Sequence, residues 1–389
     1  SRHSGRDLVP NHLTFMIFNH TAIFGEELWP RQIVTNGSVM MKGVKMSKSF
    51  GNIIPLREAL KMFGADTLRL SVLATAELLQ DAEFSPPVAK SMRERIERLY
   101  RFVAEAAKTR RRRKASEKSL TTIDKWMLSR LQEHIRKATE AMNKLAIRKA
   151  IHTTLYELDQ DFQWYQRRIT DQKEKMKRKK VIAHISDEVI DAQIRMLAPV
   201  APHICEEMWE MMGEKGFISL TSWSTPDETK VDIKAEKSEA LIAGMLEDTL
   251  NIIKATGIAP KKICYYLSAP WKWKTYIKAL ERSLSAKVVQ SDLIRELLKD
   301  PDLKARAKEV AEFLSKIVDE VNRTSDEEKQ RLIQVGVIDE DQALKEAEGF
   351  FERELKAEIR FYSEKDPKRY DPKKRAHAAK PYRPAIYIE

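Results

Sequence analysis

The chain has 389 residues, and its 70 basic and 58 acidic side chains give a formal net charge of +12. At about 100–200 residues per domain it has room for two to four domains, and the basic excess favours a polyanionic partner, above all nucleic acid. No apolar run approaches the roughly 18 residues of a membrane span, so we expect no membrane partner. Cys205 and Cys264 stand far apart without metal-ligand spacing, which excludes a disulfide framework and predicts a reducing cytoplasm and no protein-held metal.

Residues 1–55 predict the remainder of an α/β domain. Pro10 is placed for the first turn of a helix, and the apolar residues 13–18 continue that helix as one packed on a sheet should. Residues 32–41 carry Asn36-Gly37 at their centre, so we expect a strand, a two-residue turn and a second strand there.

The most informative stretch is the run Lys45-Met46-Ser47-Lys48-Ser49, with Gly43 before it and Gly51 after it. Glycine permits backbone conformations that other residues resist, so the pattern predicts a mobile loop. Lysines on such a loop can neutralise the charge that develops on a polyphosphate leaving group. Two lysines at this spacing are, by themselves, more often a solvated basic loop.

The full run, followed by Phe50-Gly51-Asn52, matches the KMSKS loop of class I aminoacyl-tRNA synthetases. Residues 3–13 resemble the segment that helps to hold adenosine in archaeal and eukaryotic-type leucyl-tRNA synthetases. In open α/β sheets an acidic residue after a strand commonly bonds a ribose hydroxyl, and the resemblance implies this role for Asp7. It also implies two catalytic lysines, Lys45 and Lys48. The implied ATP-binding residues are Gly5, Asp7, His12, Met46, Ser47 and Ser49.

Residues 56–90 predict two helices joined by a turn, the first of them an amphipathic helix at 56–63 that ends at Gly64. This segment resembles the stem-contact region that follows KMSKS in the same enzymes. Residues 91–230 are helical, with apolar stripes at three- and four-residue spacing that predict a bundle. Residues 124–131 and 197–209 resemble the anticodon-binding bundle of leucyl, isoleucyl and valyl enzymes.

Two basic runs interrupt this helical part, one at 110–114 and one at 167–180. Such runs are usually solvated linkers. In this family they can also contact RNA phosphates, which gives affinity without reading sequence. Arg167 and Arg168 are our tRNA-binding candidates here.

Beyond residue 230 the pattern predicts a small α+β domain, with strands at 261–267, 357–362 and 384–388 and a helix at 271–284. Basic residues alternate with Tyr370 and Tyr382 before the last strand, an arrangement that suits a polynucleotide as well as a plain basic loop. The position matches the C-terminal extension of archaeal-type leucyl enzymes, which reaches the outer parts of tRNA. The candidates are Lys368, Arg369, Lys373, Lys374, Arg375 and Arg383.

The predicted fold class is therefore multidomain: the remainder of a Rossmann-type α/β catalytic domain (1–55), a stem-contact region (56–90), an all-α anticodon-binding bundle (91–230) and an α+β C-terminal extension (231–389). The resemblance implies the C-terminal portion of a leucine–tRNA ligase, which uses ATP with Mg²⁺ to join leucine to tRNA-Leu, as a monomer in the cytoplasm. The His-Ile-Gly-His element of such enzymes is absent from the sequence, so we expect the chain alone to be inactive. A non-catalytic tRNA-binding module and a sister isoleucyl, valyl or methionyl enzyme are the alternatives.

Overall fold

The computed structural model describes residues 1–47, 49–109, 120–169 and 172–389, without the side chains of 109 and 172–176. Lys48 and the basic run at 110–114 lie outside the described residues, as do parts of the run at 167–180. The chain forms two units, and each is described by itself. The first comprises Ser1–Ser119, Met127–Gln166 and Lys177–Val231, and the second comprises Leu120–Trp126, Arg167–Met176 and Asp232–Glu389.

The first unit begins with a parallel strand–helix–strand motif. β1 (Arg2–Gly5) pairs in parallel with β2 (Ile33–Asn36), and α1 (Thr14–Ile23) joins them. The α/β character predicted for this part is present. Parallel sheets are normally covered on both faces, yet α1 exposes large apolar side chains, with Phe18 68% and Ile23 71% exposed. An uncovered apolar face of this size is typical of a surface that packs against further protein.

The hairpin predicted around Asn36-Gly37 is wrong. β2 pairs with β1, and the hairpin is formed instead by β3 (Val39–Met41) and β4 (Val44–Lys45). Its two turn residues, Lys42 and Gly43, have φ angles of 53° and 73°. A tight two-residue hairpin requires positive φ at such positions, and Gly37 does not adopt it.

Gly37 is needed for a close approach between chain segments rather than for a turn. Its amide donates to the carbonyl of Leu78 at 2.9 Å, and the amide of Ala82 donates to Ser38 at 2.9 Å. These contacts align β5 (Ala82–Glu83) in parallel with β3. A Cβ atom at Gly37 would lie 2.2 Å from the backbone oxygen of Gln80, so no larger residue fits without moving the backbone.

We therefore expect Gly37→Ala to lower the free energy of unfolding of the first unit by about 1–3 kcal/mol, because the new methyl group overpacks against a backbone atom. Thermal or urea unfolding measures this change. Gly25→Ala is the matched control, since the nearest atoms to its Cβ would be the carboxylate end of the exposed Glu27 side chain rather than backbone. Equal losses from the two substitutions would show that the contact with Gln80 has no special cost.

The rest of the first unit is helical. Gly64, with a φ of 83°, ends the helix at 56–63 as predicted. A wide π-type turn at Thr153–Glu157 separates two of the later helices. The helices are α2 (Leu56–Phe63), α3 (Ala65–Leu73), α4 (Pro86–Thr109), α5 (Thr122–Asn143), α6 (Ile147–His152), α7 (Leu158–Arg168), α8 (Gln172–Leu197) and α9 (Pro202–Met211).

The predicted apolar stripes form the core of this unit. Leu128 and Leu131 on α5 and Leu158 and Tyr165 on α7 are buried, as the three- and four-residue spacing requires. Side chains from α3, α4, α8 and α9 share one apolar cluster, and Trp209 belongs to it. These residues hold the helices together and have no chemical role.

α3 is tied to the α8–α9 connection by polar contacts. The Asp66 carboxylate accepts the amide of Ile204 at 2.6 Å, which caps an amide in the first turn of α9. The Arg69 guanidinium donates to the carbonyls of Pro199 and Val200 at 3.1 and 2.9 Å. The segment after the lysine loop is therefore fixed to the helical part of the same unit.

A polar network joins α5 to α7. Asp161 accepts from the fully buried His134 at 2.7 Å and from Arg130 at 2.8 Å. Burial acts to raise the pKa of Asp161, but these two partners outweigh it and hold the pKa below the ordinary 3.8. Such a carboxylate contributes stability above its unfolded-state pKa, and the contribution is lost as the pH falls through the lower folded-state pKa.

Asp161→Asn should therefore lower the free energy of unfolding by about 2 kcal/mol at neutral pH, because it removes the charge to which both donors bond. The difference from wild type should shrink at acidic pH, below about 4, as the wild-type carboxylate takes up a proton. Denaturant unfolding of both proteins at several pH values measures this difference in the free energy of unfolding. Asp191→Asn is the control: its pair with Arg195 is partly exposed and lies within one helix, so it should contribute less than about 1 kcal/mol. If the stability loss from Asp161→Asn does not change with pH, the charge of the Asp161 carboxylate is not its cause.

The second unit contains a three-stranded sheet. Its central strand, β6 (Lys262–Leu267), pairs in parallel with β7 (Glu358–Ser363) and antiparallel with β8 (Ala385–Ile388), so the strand order is β7–β6–β8. The three strands predicted here are confirmed. The helices are α10 (Ile233–Thr256), α11 (Pro270–Ser285), α12 (Gln290–Leu297), α13 (Pro301–Lys304), α14 (Ala307–Arg323), α15 (Asp326–Val335), α16 (Glu340–Glu346) and α17 (Glu348–Leu355).

Aromatic residues of β6 lie at the centre of the second unit. Tyr265 and Tyr266 are fully buried, and the Tyr265 hydroxyl bonds Thr249 on α10 at 2.8 Å. The Tyr266 hydroxyl donates to the carbonyl of Tyr370 at 2.7 Å. This second bond fastens the basic loop between β7 and β8 to the sheet.

Candidate functional site

The lysine loop leaves β4 at Lys45 and is closed at its base by one side chain. The Asn52 carboxamide oxygen accepts the amide of Ser47 at 2.9 Å, and its nitrogen donates to the carbonyl of Lys45 at 3.2 Å. Gly51 has a φ of 63°, which favours glycine. Asn52 and Gly51 together shape the loop, which explains why they accompany the lysine run.

The two serines of the run bond to each other. Their hydroxyl oxygens are 2.6 Å apart, and the Ser49 amide donates to the Ser47 hydroxyl at 3.2 Å. The half-buried Met46 anchors the segment through its amide, which donates to the Val39 carbonyl at 3.1 Å. The serines thus hold the loop in shape, whereas Lys48 between them lies outside the described residues.

The structure brings Lys45 and Asp7 together. The Lys45 ammonium lies 3.1 Å from the Asp7 carboxylate, and the two side chains are 55% and 58% exposed. The hydrogen bond from Lys45 lowers the pKa of Asp7 below its ordinary value. A Cβ atom at Gly5 would lie 2.6 Å from a carboxylate oxygen of Asp7, so glycine at this position leaves room for the carboxylate.

His12 is placed apart from this pair. Its ring nitrogen bonds the Arg2 guanidinium at 2.9 Å, and its amide donates to the Asn11 side chain at 2.5 Å. Both His12 and Arg2 are exposed. His12 therefore lies near the start of β1, and its contacts in the described part of the chain do not include Lys45 or Asp7.

Two acidic residues that the sequence analysis missed position the loop. Asp81 accepts both the Arg6 guanidinium, at 2.9 and 3.0 Å, and the amide of Ser38 at 2.7 Å. Glu83 accepts the amides of Lys42 and Gly43, at 2.7 and 3.3 Å, and so caps the turn before Lys45. Their only sequence signal is the alternation of carboxylates at 81 and 83.

The two arginines proposed at the end of α7 differ in accessibility. Arg167 is half-exposed and makes a two-pronged ion pair with Glu354, at 3.2 and 2.5 Å. Arg168 is buried with Glu239 at 2.6 Å and lies 4.7 Å from the Phe350 ring. A guanidinium enclosed in this way does not face solvent, so Arg168 cannot reach a phosphate from this position.

The basic loop between β7 and β8 is built around one carboxylate. Asp371 accepts the amides of Arg375 and Ala376, at 2.6 and 3.0 Å. The side chains of Lys373, Lys374 and Arg375 are exposed, and none has an acidic partner among the described residues. Three cations therefore project from a rigid backbone.

A buried lysine holds the far end of this loop. The Lys272 ammonium bonds the carbonyls of His377 and Ala379, at 2.9 and 2.8 Å, and pairs with Glu364 at 2.8 Å. Burial lowers its pKa below the ordinary value. These contacts hold the backbone that directly follows the exposed residues 373–375.

The other candidates near this loop are less available. Arg369 is half-buried and donates to the Asp366 carbonyl at 3.0 Å, whereas Lys368 is exposed. Arg383 is exposed and lies 3.3 Å from Asp248. Tyr382 packs edge-on against a tryptophan and bonds a backbone carbonyl through its hydroxyl. Its ring therefore stabilises the fold and is unavailable for base stacking.

No group of three or more histidine, cysteine, aspartate or glutamate side chains is poised to hold a metal in the described part of the chain. Within that same part, none of the helices has the length and apolar character that crossing a membrane requires. Both cysteines are buried, and burial raises the pKa of each thiol.

Two sequence profiles match the chain. The anticodon-binding domain of tRNA ligases matches residues 124–265, and the profile of class I tRNA synthetases (M) matches residues 3–98. The second range contains the lysine loop, Asp7 and the acidic pair at 81 and 83. The predicted class I and anticodon-binding parts of the fold are confirmed, within a mostly helical structure that has small sheets.

The relatives include archaeal leucine–tRNA ligases along the whole chain. That of Methanococcoides burtonii is 39% identical over 394 residues, and that of Methanosarcina barkeri is 37% identical over 388; the match covers 100% of this chain and 39% of each relative. That of Pyrococcus abyssi is 36% identical over 390 residues, covering 100% of this chain and 37% of the relative. The chain is similar along its whole length to archaeal leucine–tRNA ligases.

This similarity confirms the resemblance found in the sequence. The chain spans about two fifths of the length of these relatives. A solved leucyl-tRNA synthetase complex from Agrobacterium radiobacter is 18% identical with a TM-score of 0.49, covering 78% of this chain and 34% of that one. That likeness is too distant for a comparison of residues.

Proposed function

We propose that this chain supplies the phosphate-binding loop and the tRNA-binding parts of a leucine–tRNA ligase. The complete enzyme activates leucine with ATP and transfers the leucyl group to tRNA-Leu, as a monomer in the cytoplasm. The observation that carries the proposal is the Lys45–Asp7 contact of 3.1 Å, within a sequence related to leucine–tRNA ligases from end to end. Two side chains that the resemblance assigns to ATP are thereby adjacent in space.

In the activation step a carboxylate oxygen of leucine attacks the α-phosphorus of ATP. A new oxygen–phosphorus bond forms, the bond from the α-phosphorus to the bridging oxygen breaks, and pyrophosphate leaves with the electron pair. Negative charge grows on the leaving β- and γ-phosphates, where Lys45 and Lys48 stabilise it. Magnesium would accompany ATP as part of the substrate. The terminal ribose hydroxyl of tRNA then attacks the leucyl carbonyl carbon of the adenylate, an ester bond forms, and AMP leaves with the electron pair of the broken carbon–oxygen bond.

The contact between the Lys45 ammonium and the Asp7 carboxylate can be exchanged for contacts with ATP. The ribose hydroxyl then donates to Asp7, and the ammonium meets the triphosphate. Because both side chains are more than half exposed, the exchange involves little desolvation and the pair contributes little stability.

Exposed cations of the second unit are proposed to contact the tRNA backbone. Lys373, Lys374 and Arg375 carry this role because they are exposed and unpaired in the described structure. Lys368 is exposed as well and is a further candidate. Arg369, Arg167 and Arg383 are secondary candidates, since these arginines already have protein partners. Arg168 is left out because it is buried. Contacts of this kind position RNA without reading its sequence.

The chain alone is proposed to be inactive in adenylate formation. Its sequence lacks the His-Ile-Gly-His element, and α1 exposes apolar side chains that fit packing against the rest of a nucleotide-binding domain. The partner polypeptide would be the part of the relatives' length that this chain does not span. Leucine and the remaining ATP contacts belong to that part.

ATP–pyrophosphate exchange tests the proposal. We expect no exchange above background from the chain alone, and leucine-dependent exchange when it is mixed with the polypeptide matching the remaining length of a relative. Filter binding of tRNA by the chain alone should be salt-sensitive. If both polypeptides fold and associate, and tRNA binds, yet no exchange occurs, the chain is a tRNA-binding module and the enzymatic proposal is wrong.

A further inference from the structure

A large groove lies in the second unit, and the exposed cations Lys373, Lys374 and Arg375 are not among the described residues that line it. Its volume is about 1110 Å³, larger than the roughly 300–1,000 Å³ of common small-molecule pockets. Its apolar lining includes Trp273 and Ile277 of α11, Leu297 of α12, and Val337 between α15 and α16. Val337 is 54% exposed. The groove therefore combines a large volume with an apolar lining that is partly exposed.

The charge of the groove is opposite to that of the chain. Its lining contains two ammonium groups, and both are already paired: Lys274 with Asp300 at 3.3 Å and Lys278 with Glu296 at 3.2 Å. Six carboxylates line it: Glu281, Glu296, Asp300, Asp339, Glu340 and Asp341. A net negative lining in a chain of net charge +12 disfavours phosphate and therefore RNA.

Two buried polar side chains in the lining are incompletely paired in the described structure, and a ligand could supply the missing cation or hydrogen-bonding group. Glu340 is 5% exposed, and its carboxylate accepts the amide of Tyr382 at 2.8 Å but has no cationic partner among the described residues. Burial raises the pKa of Glu340 to about 7. Ser268 also lines the groove, and its hydroxyl is buried without a hydrogen-bond partner in the described structure.

We propose that this groove binds a basic amphipathic segment of another protein. The apolar side chains of the segment would cover Ile277 and Val337. Its lysines or arginines would lie beside Asp339, Glu340 and Asp341, of which Asp341 also pairs with Lys345 at 2.6 Å on its own helix. The charge complementarity favours this occupant over nucleic acid, and over an acidic or wholly apolar peptide. An amphipathic helix lying in an apolar groove is a recurrent mode of peptide recognition.

A synthetic peptide provides the probe. It has roughly 18 residues, with leucines along one helical face and lysines on the other, and it carries a fluorescent label. Titrating the whole chain into it and following anisotropy should give a dissociation constant on the order of 10 μM, with binding that weakens as salt is added. The same peptide with glutamate in place of lysine should not bind.

Matched variants place the binding site. Val337→Lys should abolish binding and Asp341→Lys should weaken it roughly fivefold, the worth of one exposed ion pair. Val289→Lys and Asp292→Lys are the controls, because Val289 is 56% exposed and neither residue lines the groove. Asp292, like Asp341, has a basic partner on its own helix, Arg295 at 3.9 Å. Circular dichroism confirms that the variants fold.

Several outcomes would overturn the proposal. They are absence of binding at 100 μM chain (about ten times the expected constant), equal losses from variants and controls, or tighter binding of the acidic peptide. If Val337→Lys changes the sedimentation of the chain, the groove holds a second copy of the chain. If it weakens tRNA binding while the basic peptide does not bind, the groove holds RNA.

Discussion

Replacing Lys45 with alanine is expected to slow leucyl-adenylate formation by about 10²–10³-fold, the usual cost of losing one positioned group that stabilises developing charge. The loss should appear in the chemical step more than in ATP binding, because the charge on the leaving pyrophosphate is largest in the transition state. Single-turnover formation of adenylate measures it, in the enzyme that combines this chain with the remaining length of its relatives.

Lys61→Ala is the matched control for this prediction. Lys61 is an exposed lysine on α2, so its removal changes the net charge equally but leaves the loop intact. Its rate should equal that of wild type. If Lys45→Ala leaves the rate unchanged, or if the two variants lose activity equally, Lys45 does not act on the triphosphate.

The second large effect is expected from the three cations of the basic loop. The variant Lys373→Ala/Lys374→Asn/Arg375→Ala should weaken tRNA binding by tenfold or more at moderate salt. It should also reduce the slope of log affinity against log salt by about 2–3, because three phosphate contacts are lost. Asparagine is chosen at 374 because the φ angle there is 52°, which asparagine tolerates. Filter binding over a series of salt concentrations gives both quantities.

The control for the loop removes the same charge elsewhere in the second unit. Lys299, Lys304 and Lys308 are exposed, and their triple replacement by alanine should leave the salt slope nearly unchanged. Thermal unfolding checks that both variants fold, which the amide bonds to Asp371 should ensure. Equal effects of the two variants on affinity and slope would mean that net charge, rather than the loop, attracts tRNA.

Local patterns in the sequence predicted most of the helices and the strands of the second unit. The stripe containing Leu128, Leu131 and Ile135 is buried because a helix at 3.6 residues per turn places all three on one face. Gly64 ends α2 with a positive φ, as glycine after an amphipathic helix usually does. Each of these predictions depends only on neighbouring residues.

Contacts distant in sequence account for what the sequence did not reveal. The two-residue turn at Asn36-Gly37 fails because Gly37 packs against Gln80, a contact made possible only by the pairing of β3 with β5. Arg168 looked like one of a run of surface cations, yet its partner Glu239 is 71 residues away. A burial pattern that depends on such a partner leaves no local signal.

The candidate site likewise contains residues that local sequence patterns revealed and residues that only the structure revealed. The lysine run and Asp7 were found because their residue types match a family motif, and the structure places Lys45 and Asp7 in contact. The supports of the loop were not found, since Glu83 acts through amides some 40 residues earlier. Asn52 lies within the motif, but only the structure shows that its side chain bonds the backbone of Lys45 and Ser47 and so closes the base of the loop.

The most direct measurement is the amino-acid specificity of tRNA charging by this chain mixed with the polypeptide that matches the rest of its relatives. We predict that tRNA-Leu becomes charged when leucine is supplied, and that isoleucine, valine and methionine with their own tRNAs give none. Charging with one of those three instead of leucine, or no charging from a folded and associated mixture, would contradict the account.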